Sequence, residues 1–168
     1  MIEGDSSVRI SYLLATAIAV AVIPPVSNSA YAGDSAVEAP IRQMEKGFNS
    51  GDMKAVRAAH VAAPFITDEF GTPFHWSGKG SLDRWLAALT RSEKVAGKSG
   101  GVVTLGAPIR ESVDRGRAYV IAPSTYRFQQ NGKTMLETGT LTFVLVKQQA
   151  GWKIAAWTWT SPEGVPVS

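Results

Sequence analysis

The chain has 168 residues, no cysteine, and a formal net charge of +3 from 17 basic and 14 acidic side chains. This length accommodates one domain with a hydrophobic core, and a hydrophobic content of 45% with only 18% charged residues excludes a disordered chain. Without cysteine, the fold must be held by packing and not by disulfides. The basic residues are scattered and form no clustered stripe, so nucleic acid is not an expected partner.

The first 32 residues have the pattern of a secretory signal peptide. An apolar run at positions 10–23 is shorter than the roughly 20 residues that span a bilayer. The sequence AYA at 30–32 is a cleavage site of the A-x-A type. We therefore expect cleavage after Ala32, export to the periplasm or the medium, and no membrane association of the mature protein. Two acidic residues precede Arg9, which is unusual in such leaders and predicts that translation begins at Val8.

One domain is predicted at 37–163, with short tails at 33–36 and 164–168. Its first half contains three helices, recognised by apolar residues at spacings of three and four. The predicted helices are 35–50, 53–62 and a third that begins at Ser81. Pro64 is expected to end the second helix, and a loop rich in Gly and Lys is predicted after the third, at 94–101.

The second half of the domain is predicted to be almost entirely strand. β-branched and aromatic residues, separated by turn signals, favour extended structure. The predicted strands are a short one at 65–70, then 102–109, 117–129, and a hairpin over 134–161 that is joined at the sequence QQAG. Pro123 removes a backbone donor from its strand, which predicts a bulge or a bend there.

The first strand of that hairpin has two different faces. One is mainly apolar and carries Met135, Glu137, Leu141, Phe143 and Leu145. The other is mixed and carries Thr138, Thr140, Thr142, Val144 and Val146. We predict an α+β fold, in which a cone-shaped, curved antiparallel sheet has three N-terminal helices packed on its concave face. The mixed face is expected to line a cavity and not a solid core.

Three segments, in this order, carry a resemblance to a known superfamily: GDMKAVRAAH at 51–60, FITDEFGTPFHWSG at 65–78, and GWKIAAWTWTS at 151–161. The chain resembles the nuclear transport factor 2-like (NTF2-like) superfamily, in particular its ketosteroid isomerase and SnoaL-like polyketide cyclase domains. The resemblance covers nearly all of 37–161 and implies a cone with a deep apolar pocket, usually in a homodimer. It implies no single activity, since the fold serves isomerases, dehydratases, epoxide hydrolases, cyclases and binding proteins.

The resemblance places the isomerase's carboxylate base on Asp68. In an apolar pocket such a group can remove a proton from a carbon next to a carbonyl. The two carbonyl-polarising groups of the isomerase fall on Met44, which donates no hydrogen bond, and at or near Thr142, a weaker donor. Ketosteroid isomerisation itself is therefore not expected. The other interpretation of Asp68 is structural, as the cap of the following turn or as an ion-pair partner of Arg84 or Arg127.

Other side chains are candidates for contacts with a ligand. The predicted substrate-binding residues are Trp76, Tyr126, Thr140, Thr142 and Trp157. Trp157 and Trp159 share one face of the last strand, so they either line a pocket for a flat apolar ligand or bury a dimer interface. For the tyrosine and the threonines the alternative is ordinary cross-strand pairing. No cofactor is expected, and His60 and His75 have no third ligand that would complete a metal site.

The expected ligand is a small apolar molecule. Three classes of function remain open on the sequence. The first is a lyase, isomerase or epoxide hydrolase that uses Asp68 as general base. The second is a binding protein without catalysis, and the third is an interaction module of the cell envelope.

Overall fold

The computed structural model describes residues 34–167. The predicted signal peptide at 1–32 lies outside the described residues. The helices are α1 Ser35–Ser50, α2 Met53–Ala59 and α3 Ser81–Ala96. The strands are β1 His60–Thr67, β2 His75–Trp76, β3 Lys98–Leu105, β4 Arg110–Asp114, β5 Arg117–Gln130, β6 Lys133–Gln148, β7 Gly151–Thr160 and β8 Val165–Pro166. No helix in this part of the chain is long and apolar enough to cross a membrane.

All eight strands belong to one sheet, in the order β2-β1-β7-β6-β5-β3, with β4 paired to β5 and β8 paired to β6. The helices pack on its concave face, where α1 contacts β3 and β7 and α3 contacts β1 and β3. The predicted fold is therefore confirmed, with one difference. The pair β1–β7 is parallel, because the long crossover through α3 and the meander returns the chain to β1 in the same direction.

The core lies between the concave face and the two long helices. α1 begins at an Asp34 cap, whose carboxylate accepts the Ala36 N–H at 2.9 Å, and it buries Val37, Ile41 and Met44. The sheet contributes fully buried side chains from three neighbouring strands: Val120, Phe143, Leu145 and Ile154. Residues at alternate positions of each strand share a face, so this set defines which side chains of the sheet point inward.

The predicted strands at 65–70 and 102–109 are His60–Thr67 and Lys98–Leu105 in the structure. The predicted ends of the helix and of the loop that precede them are wrong as well. The second helix ends at Ala59 and not at residue 62, because His60 is already extended and pairs with Ile154 of β7. The predicted loop at 94–101 is in part a strand, since β3 begins at Lys98, opposite Gln130. In both places a strand partner that is distant in sequence overrides the local signal.

Of the bulge or bend predicted at Pro123, the bulge is not formed. The register between β5 and β6 continues through Pro123, opposite Thr140, without a shift. What changes there is the other neighbour of β5, which is β4 for residues 117–121 and β3 for residues 124–130. The proline carbonyl accepts the Gly106 N–H at 2.8 Å, so the strand stays regular where it exchanges partners.

The irregularity of the central sheet lies in β7 instead. Ile154 pairs with Leu145, and Ala156 pairs with Val144. Ala155 therefore has no partner on β6. A β-bulge of this kind shifts the alternation of side chains by one residue. Beyond it, Trp157 and Trp159 join Ile154 on the concave face.

β6 also passes very close to the segment that follows β7. A Cβ added at Gly139 would lie 2.2 Å from the Thr160 carbonyl oxygen and 2.7 Å from the Ser161 Cβ. Only a hydrogen atom fits there. The glycine therefore determines how closely the chain after β7 lies against β6.

We predict that Gly139→Ala lowers the free energy of unfolding by about 1–3 kcal/mol, because the Thr160–Ser161 backbone has to move away. Gly106→Ala is the matched control. Its Cβ would meet nothing closer than 3.5 Å, so its effect should stay within about 1 kcal/mol. Urea unfolding followed by tryptophan fluorescence measures both, and equal effects of the two substitutions would contradict the close approach.

Candidate active site

A cavity of about 610 Å³ lies between the concave face and helices α1 and α3. Its walls are largely apolar and include Met44, Phe48, Phe70, Trp85, Leu89, Val103, Leu141, Trp157 and Trp159. Five of the lining residues are exposed: Asn49, Glu69, Gly101, Pro162 and Glu163. Glu69 accepts hydrogen bonds from the Ser161 N–H at 3.1 Å and from the Ser161 hydroxyl at 3.0 Å. The size and lining are those of a small-molecule site.

Asp68 lies in the wall of this cavity, directly after β1. The indole N–H of Trp85 donates to its Oδ2 at 3.0 Å, and the Phe70 backbone N–H donates to its Oδ1 at 3.4 Å. The ion pair with Arg84 that was one interpretation of the sequence is not formed. That guanidinium donates instead to the carbonyls of Lys79 and Ser77.

The environment makes Asp68 a stronger base than an ordinary carboxylate. Burial raises its pKa from 3.8 to about 6, and the hydrogen bond from Trp85 opposes that rise. The nearby Glu69 carboxylate adds a smaller contribution in the same direction as burial. At neutral pH the group is mainly ionised, yet it binds a proton more tightly than an exposed carboxylate does.

Two more of the predicted contact residues, Tyr126 and Trp157, line the cavity together with Asp68. Trp76 does not line it. This residue is 5% exposed and stacks on the ring of Phe70, with 5.3 Å between the centroids. It therefore supports the cavity wall from behind.

The structure corrects the expectation for Thr140 and Thr142. Both point to the convex face of β6, since they alternate with Leu141, which lines the cavity. Thr142 lies opposite Thr158, whose hydroxyl is hydrogen-bonded to that of Thr67. The mixed face of β6 thus forms a threonine row on the outside of the sheet, and the mainly apolar face lines the cavity.

Trp157 and Trp159 both line the cavity, which fits the pocket interpretation of this pair. The indole of Trp157 packs edge-on against Trp85, with 4.9 Å between ring centroids and an interplanar angle of 90°. The same Trp85 donates to Asp68. The aromatic wall therefore continues directly into the carboxylate.

A second set of polar side chains surrounds Tyr126, and only Tyr126 itself was predicted from the sequence as a ligand contact. The Tyr126 hydroxyl donates a hydrogen bond to Glu93, and burial raises the pKa of this tyrosine, so the hydroxyl stays protonated. Gly101 leaves room for the ring, since a Cβ there would lie 2.2 Å from the Tyr126 hydroxyl oxygen. Beside it, Lys98 pairs with Glu137 at 3.0 Å. The signal available in the sequence was Glu137, a glutamate on an otherwise apolar face.

Comparison with solved structures shows the fold. A ketosteroid isomerase-like protein from Erwinia carotovora atroseptica SCRI1043 is 18% identical, with a TM-score of 0.58 over 76% of this chain and 95% of that chain. A hexachlorocyclohexane dehydrochlorinase (LinA) Type2 is 12% identical, with a TM-score of 0.61 over 78% and 88%. An NTF2-like superfamily protein from Salmonella enterica serovar Typhimurium LT2 is 16% identical, with a TM-score of 0.61 over 76% and 89%. No protein-family model and no curated protein sequence matches the chain. The chain therefore has the NTF2-like cone fold, as the resemblance implied.

Asp68 should make the stability of the protein depend on pH. Its pKa is raised in the folded state, so protonation stabilises the fold at low pH, and this contribution is lost as the pH rises through about 6. Because one pKa unit corresponds to about 1.4 kcal/mol, the wild type should lose about 3 kcal/mol relative to Asp68→Asn between roughly pH 3.5 and 7.5.

The wild type has to be compared with Asp68→Asn because His60 also makes the stability depend on pH. Burial lowers the pKa of His60, so its contribution to stability increases as the pH rises. That contribution is the same in both proteins and cancels in the comparison. Urea unfolding at three or more pH values gives the two curves. Parallel curves for wild type and Asp68→Asn would show that the carboxylate is not buried as described.

Proposed function

We propose that the protein is an enzyme that removes a proton from a carbon atom of a small, largely apolar molecule, with Asp68 as the general base. The observation that carries the proposal is a carboxylate in the wall of an aromatic cavity, with a pKa raised to about 6 by burial. A base with such a pKa combines an ionised form at neutral pH with a strong affinity for the proton it removes.

The contacts of Asp68 support this role. Trp85 donates to Oδ2 at 3.0 Å, and Oδ1 receives a longer contact of 3.4 Å from the Phe70 N–H. The Glu69 backbone N–H also donates to this carboxylate. A carboxylate has about four lone-pair sites, so three donors leave room for the incoming proton. The hydrogen bonds lower the cost of burying the charge without supplying a cation that would weaken the base.

The proposal favours elimination over ketosteroid isomerisation. An isomerase of this kind has to stabilise an enolate oxygen with positioned donors. Met44 lines the cavity but donates no hydrogen bond, and Thr142 points to the other face of the sheet. In an elimination the negative charge departs with the leaving group, so these donors are not needed. The dehydrochlorinase among the proteins of similar fold is in keeping with this reaction class.

Export and self-association belong to the same proposal. The convex face of the sheet carries exposed apolar side chains at Phe65, Val102 and Tyr119. A second copy of the chain that covered this face would leave the cavity accessible, since the cavity opens on the opposite side of the sheet. We propose a homodimer that acts after removal of the predicted signal peptide.

Elimination of chloride tests the proposed base directly. Small apolar compounds that carry chlorine on the carbon next to an acidic C–H are incubated with the protein, and formation of the alkene is followed by NMR, with the C–H proton going to Asp68 and the chlorine leaving as chloride. The wild-type rate should rise with pH to a plateau, with a midpoint at about 6. Asp68→Asn should lower the rate by about 100-fold or more.

Asp114→Asn is the matched control, because that carboxylate is exposed at 85% of its side chain, and it should leave the rate unchanged. Elimination by Asp68→Asn at the wild-type rate would exclude Asp68 as the base. Loss of stability in Asp68→Asn, together with no elimination by the wild type, would assign the carboxylate a structural role.

A further inference from the structure

The end of the cavity remote from Asp68 is formed by Glu93, Lys98, Tyr126 and Glu137, which we call the distal end. Asp68 follows β1, whereas Tyr126 lies on β5, and β7 and β6 stand between them. Three strand spacings correspond to roughly 14 Å along the sheet. A ligand that contacts both ends must therefore be elongated.

The charges at the distal end do not cancel. Lys98 is matched by Glu137, at 3.0 Å. Glu93 accepts the Tyr126 hydroxyl, but no cationic side chain of residues 34–167 lies within 4.0 Å of its carboxylate. The negative charge of Glu93 is therefore left without a cationic partner. The neighbouring Tyr126 hydroxyl already donates its proton to this carboxylate.

The cavity as a whole is acidic. Its lining contains the five carboxylates of Asp68, Glu69, Glu93, Glu137 and Glu163, and the single ammonium group of Lys98. Like charges focused in a cleft with low-dielectric walls exclude anions and attract cations. A fatty acid or another organic anion is therefore a poor fit, while a cation is favoured.

The distal end already holds one ammonium group, which is the protein's own. The Lys98 Nζ lies 4.2 Å from the centre of the Phe128 ring, over its face, and Glu137 neutralises it. Tyr126 stacks on that same ring at 4.9 Å, beside the unmatched Glu93. The Phe128 ring is 2% exposed and does not line the cavity, so the group that a second ammonium would meet is the Glu93 carboxylate.

We infer that the distal end binds a protonated amino group of the substrate, which would then be an elongated apolar molecule with an amine at one end and an acidic C–H at the other. The inference deepens the proposed function and relies on it for the C–H end. Binding of the amine needs neither Asp68 nor turnover. Amine binding at the distal end and proton removal by Asp68 can therefore be disproved independently of each other.

Quenching of the cavity tryptophans by three matched probes tests the inference. These are naphthylbutylamine, naphthylbutanol and naphthylbutanoic acid, which share one apolar body. The amine should bind about tenfold more tightly than the alcohol, and the acid should bind most weakly. The preference for the amine should decrease as salt is added. Equal affinities for amine and alcohol, or no binding of the amine, would overturn the inference.

Glu93→Gln assigns the preference to the distal end. The substitution keeps the shape of the side chain and removes its charge, so the affinity for the amine should fall to that for the alcohol, while the alcohol is unaffected. Asp68→Asn should keep the preference, because the amine binds at the other end. Loss of the preference in Asp68→Asn with retention in Glu93→Gln would place the amine at Asp68 and contradict the inference. Should Glu93→Gln fail to fold, Asp68→Asn decides, because loss of the preference for the amine in that variant would place the amine at Asp68 and overturn the inference.

Discussion

A single hydrogen bond, from the Trp85 indole N–H to the Asp68 carboxylate, joins the helical layer to the end of β1 and to the cavity at once. Burying an ionised carboxylate is costly unless donors compensate it. Here a buried indole on α3 and two backbone N–H groups provide that compensation without a cation. The contact therefore links α3, the aromatic wall around Trp157 and Asp68, and it partly offsets the rise in pKa that burial gives the carboxylate.

The cavity itself results from how the sheet is covered. α1 and α3 bury the middle of the concave face, but the two helices do not fill the space between them, which aromatic side chains line instead. The bulge at Ala155 turns Trp157 and Trp159 inward. Gly101 leaves room for the Tyr126 ring, and Gly139 allows the chain after β7 to lie against β6. The hollow is thus determined by a few local irregularities in an otherwise regular sheet.

The sequence predicted those parts of the fold whose signals are local. The period of α1 and the turn between β6 and β7 depend on residues that are neighbours in the chain. β1 and β3 could not be located well, because their edges are set by partners nearly a hundred and about thirty residues away, at Ile154 and Gln130. The inward face of β6 was predicted wrongly for the same reason, since only the packing of α1 and α3 decides which side is covered.

Part of the candidate site was likewise predicted from the sequence, and part of it was not. Asp68 was recognised through its resemblance to a family position, and the structure adds the burial that raises its pKa. Glu93 and Lys98 were missed because charged residues at a helix end and in a glycine-rich segment are ordinarily solvated. Their place in the cavity follows from the pairing of β3 with β5, which no local pattern reveals.

The basicity of one carboxylate connects the fold to the proposed chemistry, so its titration is the most direct test. An NMR titration of the side-chain carboxyl carbon of Asp68, assigned by its absence in Asp68→Asn, gives the pKa in the folded protein without a substrate. We predict a midpoint at about 6. A midpoint near the ordinary value of 3.8 would mean that burial does not raise the pKa of this carboxylate, and it would contradict the proposed general base.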